Sequence, residues 1–440
     1  MRTSPQSSFL PLKRLIASIE SGVSVNAIDI PAEPGTPGVL KTSCVYTGKF
    51  DSSKNKAVVP EEFHRVACPV RAGTLVVSRM NTPDLVGAAG LVTIDEPHMY
   101  LPDRMWQVSF DERKAHAGFV YWWTQSRMYR DQVRAACAGT SSSMQNLDQS
   151  SFRTFAVPMV DRSTQQRIAN FLDEQTARID ALIAEKESLL AALKAHQFSY
   201  SSQLMVRGLD LKAPLRETGY SAVSAVPAHW EVKRLKFLGE VRSGVAKGKD
   251  LADKERVVLP YLRVANVQDG HLALDDVAEI EVSASEATRY LLRAGDVLMN
   301  EGGDNDKLGR GAVWHGQIDP CIHQNHVFAV RLSNTALAEW VSRFTGTYAA
   351  RTYFFLRSKQ STNLASINQS DVRELPVPMP PVKERLAILA ELRRSSLASE
   401  DLTSHVVQHI DRLREYRSSL ISAAVTGQLD IGAFDERKAA

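Results

Sequence analysis

The segment VRAGTLVVS, Val70 to Ser78, recurs 222 positions later as LRAGDVLMN, Leu292 to Asn300. The same displacement relates LKTSCVYTG from Leu40 to LRVANVQDG from Leu262. A period this long indicates two copies of a whole domain rather than a solenoid of short repeats. Because the two copies are similar but not identical, the sequence predicts one chain with two heads that recognise two different things.

The repeat continues past the heads, with a displacement that falls by two to four residues. FAVPM from Phe155 matches LPVPM from Leu375, and QQRIANFL from Gln165 matches KERLAILA from Lys383. Each head therefore closes with a proline-bearing strand and runs directly into a helical segment. The second helical segment begins after Pro380-Pro381, which suits a helix start.

The two helical segments carry a narrow apolar seam. From Ile168 the seam spacing alternates between four and three residues, and no proline or glycine occurs from 163 to 206. This spacing is typical of a coiled coil. The simplest pairing is antiparallel, helix against helix within the chain; the alternative is that each helix pairs with another protein or another copy. The predicted seam residues are Ile168, Leu172, Ile179, Leu182, Leu189, Leu193, Tyr200, Val406, Ile410, Leu413 and Leu420.

Short β-rich runs dominate both heads. TLVVSRM and MWQVSF in the first head match DVLMNEG and HVFAVRL in the second, and helical patches follow at 118–135 and 337–356. The predicted fold class is α+β, with two mixed α/β heads in an internal pseudo-two-fold repeat, separated by two long antiparallel coiled-coil helices. The predicted boundaries are 1–160 for head 1, 161–208 for helix 1, 209–230 for a linker, 231–380 for head 2, 381–428 for helix 2 and 429–440 for a tail.

Composition excludes few classes of protein. The 440 residues include 53 Lys+Arg and 50 Asp+Glu, a net charge of +3, so a nucleic-acid surface would need locally clustered cations. No apolar run reaches membrane-spanning length, and the N-terminus lacks a signal-peptide core. The four cysteines contain no CxxC pair. We expect a cytoplasmic chain with free thiols and no membrane partner.

Several segments resemble the specificity (S) subunits of type I restriction–modification systems. VPAHWEVKRL from Val226 is similar to the family's entry into a second target-recognition domain, and GDVLMNEGGDNDKLGRGAVW from Gly295 is typical of such domains. STNLASINQSDVRELPVPMPPVKERLAIL from Ser361 and RSSLISAAVTGQLDI from Arg417 resemble the junctions into and out of a spacer helix. The resemblance covers essentially the whole chain. The first head departs from it, since VVSRMNTPDLVGAAG replaces the EGGD stretch.

This resemblance implies a non-catalytic DNA-recognition subunit. Each head would read one half of a bipartite, asymmetric site in double-stranded DNA, while the helices set the spacing. The helices would also dock methyltransferase (M) subunits that use S-adenosylmethionine to methylate adenine. Restriction (R) subunits that use ATP and Mg²⁺ are further implied partners. No cofactor is expected in this chain.

Direct readout of bases needs donors and acceptors that reach base edges: Arg for guanine, Asn or Gln for adenine, Ser or Thr more loosely. For Asn266 the alternative is turn chemistry before Gly270, and Gly302-Gly303 could equally form a turn. Candidates in the second head are Arg263, Asn266, Asn300, Glu301, Lys307, Arg310, Gln324, Asn325, His326, Ser361, Thr362 and Asn363.

In the first head, Arg79 and Asn81 precede Pro83 in a predicted loop and are the main candidates. For Arg104 and Gln107, a strand or salt-bridge role is the alternative. The candidates in this head are Lys41, Ser43, Tyr46, Arg79, Asn81, Arg104, Gln107, Ser141, Ser142 and Ser143.

Two other classes of function remain as hypotheses. A Mg²⁺-dependent nuclease acting alone would use Asp103, Glu112 and Lys114, and a coiled-coil scaffold would bind protein through its heads. A metal site at Glu301, Asp304 and Asp306 is weighed against neutralisation of those carboxylates by Lys307 and Arg310. The sequence has no GxxxxGK[ST] phosphate loop and no Asn/Asp-Pro-Pro-Tyr/Phe methyltransferase motif.

Overall fold

A computed structural model of the chain describes residues 8–137, 144–246, 255–303, 307–360 and 365–431. It divides into two compact units. Unit 1 comprises Met1–Glu187 with Val407–Ala440, and unit 2 comprises Ser188–Val406. Each unit therefore contains one head together with part of both long helices.

The first head, in unit 1, is built from short strands and three short helices. Its strands are β1 (Phe9–Pro11), β2 (Ile16–Ser21), β3 (Ala27–Ile28), β4 (Gly38–Leu40), β5 (Asn55–Val58), β6 (Pro69–Val70), β7 (Leu75–Ser78), β8 (Met80–Asn81), β9 (Ala89–Leu91), β10 (Glu96–Tyr100), β11 (Met105–Phe110), β12 (Gln145–Asn146) and β13 (Ala156–Pro158). Its helices are α1 (Ala117–Thr124), α2 (Arg127–Ala136) and α3 (Gln149–Thr154), and the long helix α4 (Arg162–Arg207) follows.

The centre of the first head is a four-stranded antiparallel sheet in the order β2-β11-β7-β9. All four residues of β7 are buried, as are five of the six in β11. A strand buried on successive residues has both faces covered. The second sheet of this head has the order β3-β5-β4-β10-β6, and β1 pairs with β13 and β12 with β8.

The second head, in unit 2, is built in the same way. Its strands are β14 (Leu215–Tyr220), β15 (Val223–Pro227), β16 (Glu231–Arg234), β17 (Gly239–Ser243), β18 (Arg256–Leu262), β19 (Ala278–Ser283), β20 (Val297–Asn300), β21 (Gly302–Gly303), β22 (Gly311–Val313), β23 (Ile322–His323), β24 (Val327–Leu332), β25 (Lys359–Gln360), β26 (Ala365–Ser366) and β27 (Pro376–Met379). Its helices are α5 (Ala284–Tyr290), α6 (Ala338–Thr345), α7 (Tyr348–Arg357) and α8 (Gln369–Arg373), followed by the long helix α9 (Val382–Val425).

The central sheet of the second head reproduces that of the first, while the second sheet has three strands, in the order β19-β18-β23, instead of five. Its four-stranded antiparallel sheet has the order β17-β24-β20-β22, which matches β2-β11-β7-β9 strand for strand. The pair β16·β27 corresponds to β1·β13, and β21·β26 corresponds to β8·β12. The predicted internal repeat is confirmed, and so is the α+β fold class.

One glycine in each head marks the same close approach of two chain segments. A Cβ atom on Gly22 would lie 1.6 Å from the carbonyl oxygen of Leu101, and a Cβ atom on Gly244 would lie 2.0 Å from that of His323. No side chain fits at either position. The repeated SGV motif is therefore retained because the backbone itself needs the space.

Both helical patches of the heads are interrupted, which corrects the prediction of one helical stretch in each. In the first head Ser126 begins a second helix, α2, by accepting a hydrogen bond from Tyr129 N. Thr347 begins α7 in the second head by accepting one from Ala350 N. Hydroxyl side chains are favoured at such N-terminal positions because they satisfy an amide that has no partner within the helix.

The segment predicted as a linker, 209–230, is folded. It contains the antiparallel hairpin β14·β15, and Val223 and Val226 from β15 are buried in the core of unit 2. Trp230 is buried in the same core with its ring 6.3 Å from that of Trp340. The segment between α4 and the second head therefore contains ordered structure, and its alternating polar and apolar residues suit a two-stranded ribbon.

The two long helices pair antiparallel inside each unit. In unit 1, Arg417 Nε donates to Asp180 Oδ1 at 2.8 Å and Arg414 Nη2 to Glu187 Oε1 at 2.9 Å. In unit 2, the Tyr200 hydroxyl donates to Glu391 Oε1 at 2.8 Å. The predicted antiparallel pairing within one chain is confirmed.

The apolar seam of α4 follows the prediction at every position but two. Ile168, Leu172 and Ile179 are buried, but Leu182 is 46% exposed and Leu189 is 42% exposed. Their neighbours Ile183 and Leu190 are half-buried instead, and Leu193 and Tyr200 are half-buried as predicted. A helix has 3.6 residues per turn, so the residues three and four positions after Ile179 both lie near the seam. The structure turns the second of these, Ile183, toward the seam and leaves the first, Leu182, exposed. The prediction for Leu182 and Leu189 was wrong.

The seam of α9 agrees with the prediction. Val406, Ile410 and Leu420 are buried, and Leu413 packs against the core of unit 1 as a half-buried residue. Farther toward the N-terminus of α9 the seam becomes polar. Ser396, Ser399 and Thr403 line a cavity of about 460 Å³ in unit 2, together with Gln197 and Ser201 from α4 and residues of the second head.

Two further observations bear on the chain as a whole. All four cysteines are free and buried, and burial raises the pKa of the Cys44 and Cys321 thiols to about 12. Within the described ranges, no helix is both long and apolar enough to cross a membrane.

Candidate nucleic-acid interface

The second head gathers most of its predicted residues where β20 meets β24. Glu301 follows β20, and its amide donates to the carbonyl oxygen of His326 at 3.0 Å. The Glu301 carboxylate lies 2.6 Å from His326 Nδ1. The imidazole is exposed and the carboxylate is half-buried. The pair therefore presents a carboxylate and an imidazole at one surface position.

Two neighbouring residues belong to the same surface. Gln324 and Asn325 are both half-buried, and their amides donate to Leu262 O at 2.9 Å and Val245 O at 3.0 Å. Asn325 Nδ2 lies 3.4 Å from His326 Nε2. These backbone bonds fix the direction of the loop that carries all three polar side chains.

Lys307 and Arg310 flank the turn after β21 and are half-buried. The Arg310 carbonyl accepts from Asn300 N at 3.1 Å, which holds this turn against β20. Arg310 therefore lies beside the Glu301–His326 position, and Lys307 is three residues before it. Both remain predicted DNA contacts.

Two predicted asparagines of this head are structural. Asn266 is 3% exposed and donates to Ala273 O and Asp276 O at 2.9 Å, while its Oδ1 accepts from Arg263 N. Asn300 is fully buried, and its Nδ2 donates to Val267 O at 2.9 Å. The structure favours the turn alternative for Asn266. The prediction of base contact is revised for both residues, because neither side chain reaches the surface.

Arg263 is placed at the edge of this surface. Its Nη2 donates to Asp276 Oδ2 at 2.9 Å, and the carboxylate is almost fully exposed. Such a pair contributes little to stability and exchanges readily for a stronger acceptor. Arg263 therefore remains a predicted DNA contact.

Two predicted polar residues of the first head are hydrogen-bonded to each other. Asn81 is 7% exposed, and its Nδ2 donates to the Tyr46 hydroxyl at 2.9 Å. Its Oδ1 accepts from Thr82 N at 2.9 Å. The Tyr46 hydroxyl also lies 2.8 Å from Thr42 Oγ1. Asn81 is thereby a structural residue, and the prediction of a base contact is revised, while Tyr46 keeps one exposed face.

Arg79 and Arg104 lie directly opposite each other at the end of the β7·β11 pair. Arg79 N donates to Arg104 O at 3.0 Å, one position beyond the registered pair Met105 and Ser78. Arg104 is exposed and Arg79 half-buried, and the Nε of Arg79 has no hydrogen-bond partner. Neither guanidinium forms an ion pair within the described part of the chain. This position is the most strongly cationic candidate in the head.

The remaining candidates of the first head are less available to DNA, because each is paired with another residue or at least partly buried. Lys41 Nζ lies 2.6 Å from Asp29 Oδ1, and the hydrogen bond from Lys41 holds the pKa of Asp29 below its ordinary value. Ser43 is half-buried in a 3-10 helix, Thr42–Val45. Gln107 is fully buried and accepts from Arg71 N at 3.0 Å, so it is a structural residue of the sheet.

Sequence reasoning missed two relations in the first head. One is the hydrogen bond between the hydroxyl groups of Thr42 and Tyr46. It depends on the local 3-10 helix, which the sequence analysis did not predict. The pairing of Arg79 with Arg104 depends on the register of β7 against β11, which no local pattern specifies. Six predicted contacts lie outside the described residues: Ser141, Ser142, Ser143, Ser361, Thr362 and Asn363.

The residues of the nuclease hypothesis do not form one site. Asp103 precedes β11, whereas Glu112 and Lys114 follow it. Six residues of strand span about 20 Å, which is too far for shared metal or proton chemistry. Lys114 instead pairs with Asp111 at 2.9 Å.

The metal hypothesis concerns Glu301, Asp304 and Asp306, of which Asp304 and Asp306 lie outside the described residues. The described ranges contain no group of three or more His, Cys, Asp or Glu side chains placed to hold a metal ion. The Glu301 carboxylate is bonded to His326.

His323 lies behind the second-head surface as a buried neutral imidazole. Its Nδ1–H donates to Val327 O at 2.7 Å, and it is 1% exposed. Burial, the largest effect, lowers its pKa from 6.5 to about 4, and the neighbouring Arg242 and Arg331 act in the same direction. The equivalent residue of the first head, at the same glycine contact, is the buried Leu101.

We therefore expect the second head to lose stability in mild acid. Between the folded pKa of about 4 and the unfolded value of 6.5, the unfolded chain binds the proton that the folded chain excludes. Stability is thus fully present above pH 6.5 and falls as the pH drops toward 4, by about 3 kcal/mol in total. Urea unfolding at about pH 7 and about pH 4.5 measures the loss. The matched variant His323→Leu copies the first head and should show a smaller loss; equal losses in both proteins would contradict the assignment.

The comparisons with known proteins agree with this architecture. The specificity subunit of the type I restriction enzyme EcoKI from Escherichia coli (strain K12) is 24% identical over 405 residues, covering 89% of this chain and 82% of that protein. The StySPI specificity subunit from Salmonella potsdam is 23% identical over 407 residues, with the same shares covered. No family model matches the chain.

Solved structures share the fold. A chain from a type I R-M system superposes with a TM-score of 0.70 at 14% identity, covering 98% of this chain and all of that one. The HsdS subunit from Thermoanaerobacter tengcongensis gives a TM-score of 0.52 at 15% identity, covering 98% of this chain and 99% of its own. Two repeated α/β heads with long antiparallel helices are thus a fold that this chain shares with these structures. In sequence it is similar to type I restriction enzyme specificity subunits over 89% of its length.

Proposed function

We propose that this chain gives a type I restriction–modification complex its DNA sequence specificity. Each head reads one half of a bipartite, asymmetric site in double-stranded DNA, and the two helices set the spacing between the halves. The observation that carries the proposal is the recurrence of one four-stranded scaffold, β2-β11-β7-β9 and β17-β24-β20-β22, with different polar side chains at its edge. Two domains with the same sheet and different polar side chains at its edge are suited to bind two different DNA sequences.

The long helices support a second part of the proposal. Both are continuous through the two units, over Arg162–Arg207 and Val382–Val425. They leave apolar side chains exposed, among them Leu189, Leu397 and Leu402. We propose that methyltransferase subunits dock on the helices and that restriction subunits join the same complex. The solved chain with the TM-score of 0.70 comes from work on complex assembly in a type I R-M system, which supports this part.

The chain itself is proposed to catalyse nothing. S-adenosylmethionine would be bound by the methyltransferase subunits, and ATP and Mg²⁺ by the restriction subunits. The nuclease alternative lacks support because Asp103 and Glu112 lie at opposite ends of β11. The comparisons favour specificity subunits over a protein-binding scaffold. A cytoplasmic location stays a prediction.

A binding experiment with the purified components tests the proposal. The full chain, assembled with its methyltransferase subunits, is incubated with random-sequence duplex DNA, and bound molecules are sequenced. We expect enrichment of two short words at a fixed distance. Affinity should fall steeply with salt, since a complex that neutralises several phosphates releases their counterions.

Two controls separate the alternatives. The purified chain with Mg²⁺ should leave supercoiled plasmid intact; cutting that Glu112→Ala abolishes would support the nuclease. A complex that assembles fully and yet enriches no sequence would favour the scaffold.

A further inference from the structure

One position of the scaffold carries opposite chemistry in the two heads. At the end of β7, Arg79 N donates to Arg104 O at 3.0 Å. At the end of β20, Glu301 N donates to His326 O, also at 3.0 Å. The registers agree as well, since each bond follows directly after the pair of β7 with β11 or of β20 with β24. Arg79 thus corresponds to Glu301, and Arg104 to His326.

Neighbouring hydrogen bonds repeat in the same order. Leu147 N donates to Arg79 O at 2.8 Å, and Ile367 N donates to Glu301 O at 2.9 Å. The turn glycines also correspond, because Gly87 N donates to Ser78 O as Gly309 N donates to Asn300 O. The two positions are therefore equivalent in backbone geometry, and only their side chains differ.

In the first head the position holds two cations. Arg79 and Arg104 are directly opposed residues of an antiparallel pair, where Cβ atoms lie about 5 Å apart and like charges destabilise the sheet. Neither has an acidic partner in the described ranges, and Arg79 Nε has no hydrogen-bond acceptor. A ligand with acceptor atoms at this position would relieve both the repulsion and the unpaired donor.

In the second head the position holds an acceptor. The Glu301 carboxylate bonds His326 through one oxygen, Oε2, at 2.6 Å. A carboxylate has two oxygens and about four acceptor directions, so it can accept further hydrogen bonds. It would repel a phosphate and would attract an amino group.

We infer that this position determines base choice in both heads: in the first, Arg79 and Arg104 take the acceptor edge of a guanine, and in the second, Glu301 takes the exocyclic amino group of a cytosine or adenine. Arginine suits guanine O6 and N7, and a carboxylate suits an amino donor. Phosphates are contacted by cations, neutral polar side chains and backbone amides, but a carboxylate repels them because every phosphate is negatively charged. The change from Arg79 to Glu301 therefore indicates base edges.

This inference rests on the proposed function, and it is tested in the complete complex with methyltransferase subunits. The variants are Arg79→Gln, Arg104→Gln and Glu301→Gln. The matched controls are Arg113→Gln, beyond the other end of β11, and Glu279→Gln, on β19. Affinities are measured for every single base-pair substitution of the selected site, at two salt concentrations, together with the melting temperature of each variant.

We expect Arg79→Gln or Arg104→Gln to lose about tenfold to hundredfold discrimination at one G·C pair of one half-site. Glu301→Gln should lose a similar factor at one pair of the other half-site, and the matched controls should keep the wild-type preference. If Arg79→Gln has a lower melting temperature than the wild type, Arg104→Gln decides the test, because Arg104 is exposed.

Three results would overturn the inference. One is uniform weakening over all sequences with a shallower salt dependence, which marks a phosphate contact. Another is an unchanged preference in Arg104→Gln and Glu301→Gln. The third is relaxation by Arg104→Gln at a pair other than G·C. Failure of the wild-type complex to select any two-part site would instead remove the proposed function itself.

Discussion

Replacing residues 231–380 with the corresponding head of a specificity subunit that reads another target should change one half of the methylated sequence and leave the other half intact. The reason is that the first and last strands of the exchanged segment pair with each other. The grafted segment, 231–380, begins with β16 and ends with β27, which pair over four residues, so both ends of the graft leave at one place. Specific sites are bound about 10³ to 10⁷ times more tightly than other DNA, so the exchanged half should change completely.

The junction of this exchange needs one precaution. Trp230 lies just outside the graft and packs on Trp340 inside it, and Trp340 Nε1 donates to Pro378 O at 2.7 Å. A donor head should therefore keep tryptophan at position 340, because truncation of a buried aromatic costs about 3–5 kcal/mol. The measurement is a map of methylated adenines in cells that express the chimaera with its methyltransferase.

The reciprocal exchange of residues 8–160 is the matched control and should change the opposite half. A chimaera that alters both halves would contradict independent reading by the two heads. So would a folded chimaera that alters neither half.

Adding seven residues to both long helices should lengthen the gap between the two half-sites by about three base pairs. Seven helical residues add about 10.5 Å, and each base pair about 3.4 Å. Seven is chosen because it nearly completes two turns and keeps the seam on one face. The insertions belong after Glu187 in α4 and after Val406 in α9, where the chain passes from one compact unit to the other.

Single insertions provide the control. Seven residues added to α4 alone leave α9 too short to pair along its length, so pairs such as Tyr200–Glu391 and Arg414–Glu187 cannot both persist. We expect methylation of any defined sequence to be lost in that variant. An unchanged gap in the double insertion would show that the helices do not set the spacing. The same methylation map supplies the measurement.

Long-range sequence similarity predicted the architecture well. The displacement of 222 residues places β7 and β20 in correspondence from sequence alone, and the proline-free segment after Asp161 predicts α4 to within a residue at each end. Both signals are global, because they depend on whole segments rather than on single side chains.

Local choices were harder to predict from sequence. Leu182 and Ile183 are adjacent apolar residues, and either can occupy the seam of a helix with 3.6 residues per turn. Packing in the folded unit covers part of Ile183 and leaves Leu182 exposed. Local composition carries no information on which of the two the fold selects.

The candidate site shows the same limit. Asn266 and Asn300 have the side chains that read adenine, yet both are used to hold backbone carbonyls inside the second head. Arg79 and Arg104 are 25 positions apart, and only the register of two strands brings them together. The type of a polar residue alone does not distinguish a residue that contacts DNA bases from one that stabilises the fold.

The most direct test of the central claim is the methylation pattern produced by the wild-type chain. Expressed with its methyltransferase subunits in a host without adenine methylation, it should direct methylation to one sequence made of two different words at a fixed distance. A continuous word, two identical words in a palindrome or a variable distance would contradict the account.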